Sequence, residues 1–201
     1  MCGIFGYVGA DSDASGIVLR GLKKLEYRGY DSWGIAVAHD GTVELEKSVG
    51  KIGQASTNLP PSHSGLGHTR WATHGGVTEP NAHPHLDGTR RLALIHNGIV
   101  LNHRELREPF IRAGQTFQSE TDSEVVVYLV ADELRKVDDG PDALVDAVMR
   151  AFRKLDGLNA IAVLDVQSGC IAAAKSGSPL VLGWSDQGND IQENWREHHP
   201  E

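Results

Sequence analysis

The sequence predicts an α+β fold in which two groups of β-strands flank a helical middle. Three observations predict it. Short apolar runs bounded by Gly, Asn and Asp fall within residues 2–98 and again within 159–182. Segments with helical caps and helical length fill 102–155, and a further one interrupts the first strand group at 14–27. No segment repeats and none is of low complexity. With 201 residues, 40% of them apolar and 23% charged, the chain is long enough for one sizeable core.

Taken in order, residues 2–9 are short, apolar and glycine-flanked, and read as a buried strand. Ile17, Val18, Gly21, Leu22 and Leu25 recur at helical spacing, giving a helix over 14–27. Residues 33–38 form a strand, His39-Asp40-Gly41 is a hairpin turn, and 42–48 return beside it. Residues 65–70 are another strand, followed by a long stretch, 71–91, rich in Gly, Pro, His and Asn. The apolar run 92–96 ends at Asn97-Gly98. Gly114 closes a helix over 102–113. Thr121-Asp122-Ser123-Glu124 has capping-box spacing and opens a helix over 121–137. A third helix spans 142–155, and 159–166 with 170–176 make a hairpin.

The net charge of −8 and pI near 5.6 argue against a nucleic-acid or anionic-membrane surface, which needs a basic patch. No apolar run is long enough to cross a bilayer. The first residues lack the basic and apolar regions of a signal peptide. Cys2 and Cys170 cannot make a disulfide framework. A cytoplasmic protein is expected.

Several residues can carry chemistry. Removal of Met1 would give Cys2 a free α-amine, which titrates near ~7.7–8.0 and can take the thiol proton without a histidine. Considered alone, Cys2 reads first as a small apolar residue that starts a strand. In Gly67-His68-Thr69-Arg70-Trp71-Ala72-Thr73-His74-Gly75, Arg70 can hold a carboxylate through two hydrogen bonds and Trp71 can cover a methylene stem. Asn97 and the Gly98 N–H can form an oxyanion hole, although Asn-Gly is also an ordinary turn. Asp122 can bind an ammonium or act in a helix cap. The spacing of His68, His74, His83 and His85 does not match a closed zinc site.

Together these motifs carry a resemblance. The start Cys2-Gly3-Ile4, the run Leu25-Glu26-Tyr27-Arg28-Gly29-Tyr30-Asp31-Ser32, the 67–75 segment, Asn81-Ala82-His83-Pro84-His85, His96-Asn97-Gly98-Ile99 and residues 119–124 closely resemble the glutaminase domain of the glutamine–fructose-6-phosphate aminotransferase (isomerizing) family, a class II glutamine amidotransferase. The resemblance covers about residues 2–183. It implies an N-terminal-nucleophile hydrolase fold, an αββα sandwich. It implies hydrolysis of the glutamine side-chain amide to glutamate and ammonia, with no metal or organic cofactor. Carried over motif by motif, it makes Cys2 the nucleophile and its own amine the base, with Asn97 and Gly98 holding the oxyanion. Arg70 would bind the substrate carboxylate and Asp122 its ammonium. Trp71, Thr73 and His74 would lie in a loop that closes on glutamine, with His83 and Arg28 in support.

The resemblance also implies further strands after Gly183 and a sugar-phosphate isomerase half. Residues 184–201 are polar and charged and match no such strands, so a sandwich short of its last strands and a domain of 1–183 are expected, with any isomerase supplied as a separate domain or subunit. Trp33 stands where the family has a small residue, and Val77 where it has Pro. The alternative function is a weakly active or inactive truncated remnant that binds glutamine or a partner.

Overall fold

The structure is a computed structural model and describes residues 2–184. Two antiparallel four-stranded sheets face each other, with helices on both outer faces. The first sheet has the order β1-β4-β2-β3, where β1 is Gly3–Val8, β2 Ser32–His39, β3 Thr42–Val49 and β4 Ser64–Arg70. The second has the order β5-β6-β7-β8, where β5 is His85–Leu86, β6 Leu92–Gly98, β7 Asn159–Asp165 and β8 Ile171–Ser176. Helix α1 (Ala14–Leu25) covers the first sheet and runs into a 3₁₀ turn, Glu26–Arg28. Helices α2 (His103–Arg112), α3 (Glu124–Leu134) and α4 (Ala143–Phe152) lie on the side of the second sheet.

Alternation along each strand separates three apolar layers. Trp33, Ile35 and Val37 of β2 point at Val18 and Leu22 of α1. Their neighbour Ala36 points the other way and joins Leu66, Ala93, Ile95, Ala162 and Leu164 between the sheets. On the far side Leu92, Leu94, Ile161 and Val163 meet α3 and α4. Strands buried on both faces read as unbroken apolar runs, which is how β6 and β7 stand out in the sequence. Gly67 lets α1 close on the sheet: a Cβ there would lie 2.4 Å from Val18 Cγ1 and 2.7 Å from Leu22 Cδ1. The opposite parity of β4 sends Leu66, His68 and Arg70 into the layer between the sheets.

The structure corrects three expectations. Strand β1 is an edge strand hydrogen-bonded only to β4, so Ile4, Phe5 and Tyr7 are half-buried rather than buried. The Thr121–Glu124 capping box does not form. The Glu124 carboxylate instead reaches back to the N–H groups of Gln118 and Ser119, at 2.8 and 2.6 Å. Thr121 Oγ1 is 3.0 Å from His85 Nε2. The two-residue β5, inside the 71–91 stretch, had no sequence signal of its own. Trp33 is accommodated under α1 and is 4% exposed. The expected non-matching tail lies, apart from Trp184, outside the described residues. Among the described residues no helix is long and apolar enough to cross a membrane.

Candidate active site

Four pieces of chain meet at one cleft: the start of β1, the end of β4, the turn at the end of β6 and the segment entering α3. The cleft is small and partly open to solvent. Cys2, Arg70, Trp71, Thr73, His74, His83, Gly98 and Asp122 line it, and so do His96, Thr121 and Ser123, which sequence reasoning did not assign to the site. Those three became visible only through non-local packing.

Cys2 sits at the tip of β1. Its Sγ accepts a hydrogen bond from the Trp71 N–H at 3.2 Å and donates to the Trp71 carbonyl at 3.6 Å. The Gly3 N–H donates to Thr69 Oγ1 at 3.1 Å, which fixes the strand just behind the thiol. Burial pushes the Cys2 thiol above its ordinary pKa, opposed by the Trp71 N–H and the Arg70 charge. The thiol is therefore the resting form at neutral pH, and a base is needed to make it a nucleophile.

Asn97 does not line the cleft, but its Nδ2 donates to the Cys2 carbonyl at 3.0 Å. Gly98 does line it. With φ +133° and a Cβ position only 2.3 Å from the Leu158 carbonyl, this residue has to be glycine. The turn therefore offers a backbone N–H with no side chain in the way.

Arg70 is 3% exposed at the end of β4. Its guanidinium donates to the carbonyls of His74, Gly75 (3.3 Å) and Gly76 (3.0 Å) and so ties down the loop after β4. A second clasp holds the same loop: Glu120 accepts from the Gly76 N–H at 3.2 Å and from Asn81 Nδ2 at 3.1 Å. Those bonds hold the Glu120 carboxyl below its usual pKa. Across the cleft, Asp122 Oδ2 accepts from the Val100 N–H at 2.7 Å. Its Oδ1 has only a long 3.4 Å contact from Ser123 Oγ. Asp122 thus braces the turn after β6 and still presents one carboxylate oxygen. Asp31, which sequence reasoning did not single out, accepts from the Ala72 N–H at 2.9 Å.

Trp71 is 45% exposed and meets the Tyr30 ring edge-on at 5.4 Å. Arg28 is not part of the cleft; its side chain lies over the Tyr27 ring and bonds its hydroxyl. The turn that carries Arg28 still touches the site, because a Cβ at Gly29 would lie 2.7 Å from the Arg70 carbonyl carbon.

Below the cleft His68, His83, His85 and His96 are buried together, with ring centroids 4.3 Å apart for His68–His83 and 4.5 Å for His83–His85. Burial holds all four below the ordinary histidine pKa, His68 at about 3. They are neutral rings packed at tilted and edge-on angles, and among the described residues no group of three or more His, Cys, Asp or Glu is arranged to hold a metal ion.

A family model described as "Glutamine amidotransferase domain" matches residues 68–191. The chain is 45% identical to glutamine–fructose-6-phosphate aminotransferase [isomerizing] of Synechocystis sp., over 92% of this chain and 30% of that protein. It is 44% identical to the protein of the same name from Aquifex aeolicus, over 94% of this chain and 32% of that protein. The chain therefore spans about a third of the length of these relatives. Among solved structures, glutamine phosphoribosylpyrophosphate amidotransferase from B. subtilis superposes with a TM-score of 0.73 at 24% identity, over 92% of this chain and 40% of that one, which speaks for the shared fold. A structure described as the allosteric regulatory enzyme of purine biosynthesis gives 0.67 at 26% identity, over 83% and 36%. By sequence and by fold, the chain belongs to the glutamine amidotransferase domain family.

Proposed function

We propose that this chain hydrolyses the side-chain amide of glutamine through Cys2, as the glutaminase part of a glutamine–fructose-6-phosphate aminotransferase. The observation that carries the reading is the convergence of a thiol, a guanidinium, a carboxylate and an unshielded backbone N–H on one cleft. Free glutamine is a zwitterion. Arg70 takes its carboxylate and Asp122 Oδ1 its ammonium, which aims the amide carbon at Sγ. Once Met1 is removed, the Cys2 amine takes the thiol proton as Sγ attacks the amide carbon. The carbonyl oxygen becomes an oxyanion held by the Gly98 N–H and the second Asn97 N–H. The amine returns its proton to the departing nitrogen, ammonia leaves and a thioester remains. Water, deprotonated by the same amine, attacks the thioester carbon; glutamate leaves and the thiol is restored. The raised thiol pKa supports a base located on the same residue, because proton transfer and attack can then occur together.

The aminotransferase relatives are about three times as long, and their name contains the acceptor sugar phosphate. The ammonia made here is accordingly destined for a sugar-phosphate isomerase domain or subunit, and the chain alone releases it to solvent. The acidic balance of the chain supports a cytoplasmic setting, away from nucleic acid and anionic membranes. A second reading, glutamine binding without turnover, is favoured by the hydrogen bond of the resting thiol to the Trp71 carbonyl.

Intact mass with a glutamine-analogue electrophile, alongside steady-state ammonia release, tests the proposal. Loss of Met1, one adduct on Cys2 and none on Cys170, and ammonia release abolished by the adduct are expected. An unlabelled Cys2, or turnover that survives labelling, would sink it. Arg70→Lys supplies a second check. Lysine keeps the charge but cannot span a carboxylate and the loop carbonyls together. It should raise KM for glutamine and lower kcat/KM by roughly 10²-fold, since two or more charge-assisted bonds are lost. An unchanged KM would remove Arg70 from the carboxylate role.

A further inference from the structure

We propose that His68 is a positioning residue for the reaction, fixing the Asn97 amide so that its N–H side faces Cys2. This rests on the reading of Cys2 as nucleophile and Asn97 as oxyanion donor, and adds to it a residue with no contact to glutamine.

The assignment needs no assumption about tautomers. His68 is fully buried, and its Nε2 lies 3.1 Å from the His96 carbonyl and 3.0 Å from Asn97 Oδ1. A backbone carbonyl only accepts, so Nε2 must carry the hydrogen. At the other end of the Asn97 side chain, the Cys2 carbonyl at 3.0 Å also only accepts, so the atom facing it must be the amide nitrogen. The two constraints are independent and agree. They give a chain from His68 Nε2–H to Asn97 Oδ1, and from Asn97 Nδ2–H to the Cys2 carbonyl. One Asn97 N–H is occupied by that carbonyl; the other is assigned to the oxyanion, at the edge of the cleft that His96 and Gly98 line.

Two effects follow. Without a donor at Nε2, nothing on the His68 side prefers the amide oxygen over the amide nitrogen, and the flipped rotamer would turn an acceptor toward developing negative charge. A hydrogen bond into Oδ1 also polarises the amide and makes its N–H groups better donors. The neutral state required of His68 is secure, because burial holds it uncharged throughout the neutral range. Its ring is fixed from the side by His83 at 4.3 Å. Its parity on β4 matches that of Arg70, so one strand supplies both the proposed carboxylate ligand and the support for the oxyanion donor.

The test uses the full chain with His68→Leu, which removes the donor, and His68→Gln, whose amide N–H can reach the Nε2 position. Thermal unfolding of each variant reports folding. If His68→Leu does not fold, His68→Asn replaces it, since its amide is too short to reach. Loss of an oxyanion donor costs about 10²–10³-fold in kcat, and misorienting one should cost roughly 10–10²-fold. We expect the donorless variant to lose kcat on that scale with KM for glutamine within about twofold, as befits an interaction made in the transition state. His68→Gln should recover most of the loss, and in an Asn97→Ala background the donorless change should add nothing. Alkylation of Cys2 by iodoacetamide, a displacement that forms no oxyanion, should proceed at the wild-type rate. The proposal is overturned if the donorless variant keeps wild-type kcat, if Gln is no better than Leu or Asn, or if the losses multiply with Asn97→Ala. It is overturned with the nucleophile reading intact if Asn97→Ala is fully active while Cys2→Ala is dead. An active Cys2→Ala overturns both.

Discussion

Cys2→Ala is expected to lower ammonia release from glutamine by roughly 10⁴-fold or more, the scale seen when a covalent nucleophile is removed from a working site. The structure separates this from a folding effect. Cys2 is only partly buried, and the bond that anchors its strand is made by the Gly3 backbone to Thr69, not by the sulfur. The stability change should therefore stay within about 0.5 kcal/mol, as for substitutions outside the core. Cys170 is exposed and its thiol donates to the Ser168 carbonyl, so Cys170→Ala serves as the control and should be silent in both assays. Ammonia release by Cys2→Ala within tenfold of wild type would refute the thiol mechanism.

Acid sensitivity is the second large effect. His68, His83 and His85 are buried neutral rings whose folded pKa values lie well under the ordinary 6.5, and His96 is lowered too. Burial is the main cause. Repulsion from Arg70 and Lys47 and between the rings adds to it, while Asp122 beside His96 works the other way. When the chain unfolds below pH 6.5 these rings take up protons that the native state refuses. Their contribution to stability is thus complete above about pH 6.5 and is lost as pH falls toward the folded values, about 3 for His68. With an unfolded pKa near 6.5, each such ring costs about 1 kcal/mol between pH 6.5 and 5.5, so three imply a loss of about 3 kcal/mol. That is much of the stability of a typical domain. Urea unfolding at pH 7.5 and 5.5 should show a clear drop in midpoint at constant slope. Equal midpoints would mean that the rings titrate normally in the folded protein.

Much of the fold was legible because each strand carries its own signal. The apolar runs at β2, β6 and β7 and the Asp40-Gly41 turn need no partner to be read. Helix α3 was read from a capping-box spacing that does not form, and it carries no clear period: Val125, Val126, Val127, Leu129 and Val130 are all buried, since neighbours surround it. What the sequence hid was non-local. The support of Glu124 for Gln118 and Ser119, and of Asp122 for Val100, depends on how the chain returns across the second sheet. The histidine cluster joins β4, β5 with the segment before it, and β6, and no spacing rule connects those three stretches. The candidate site was legible as motifs, through Cys2, Arg70, Asn97-Gly98 and Asp122. The engagement of Arg70 by the carbonyls of its own loop, and the absence of Arg28 from the cleft, required coordinates.

The clasp of Thr69 on the Gly3 N–H has a practical side. It fixes the strand immediately behind Cys2, whose thiol lies at the cleft. Any purification handle fused upstream and not trimmed would turn the Cys2 amine into an amide that cannot accept a proton. Preparations carrying such a leader should look well folded and yet be inert, and a protease that cuts cleanly before Cys2 should switch them on.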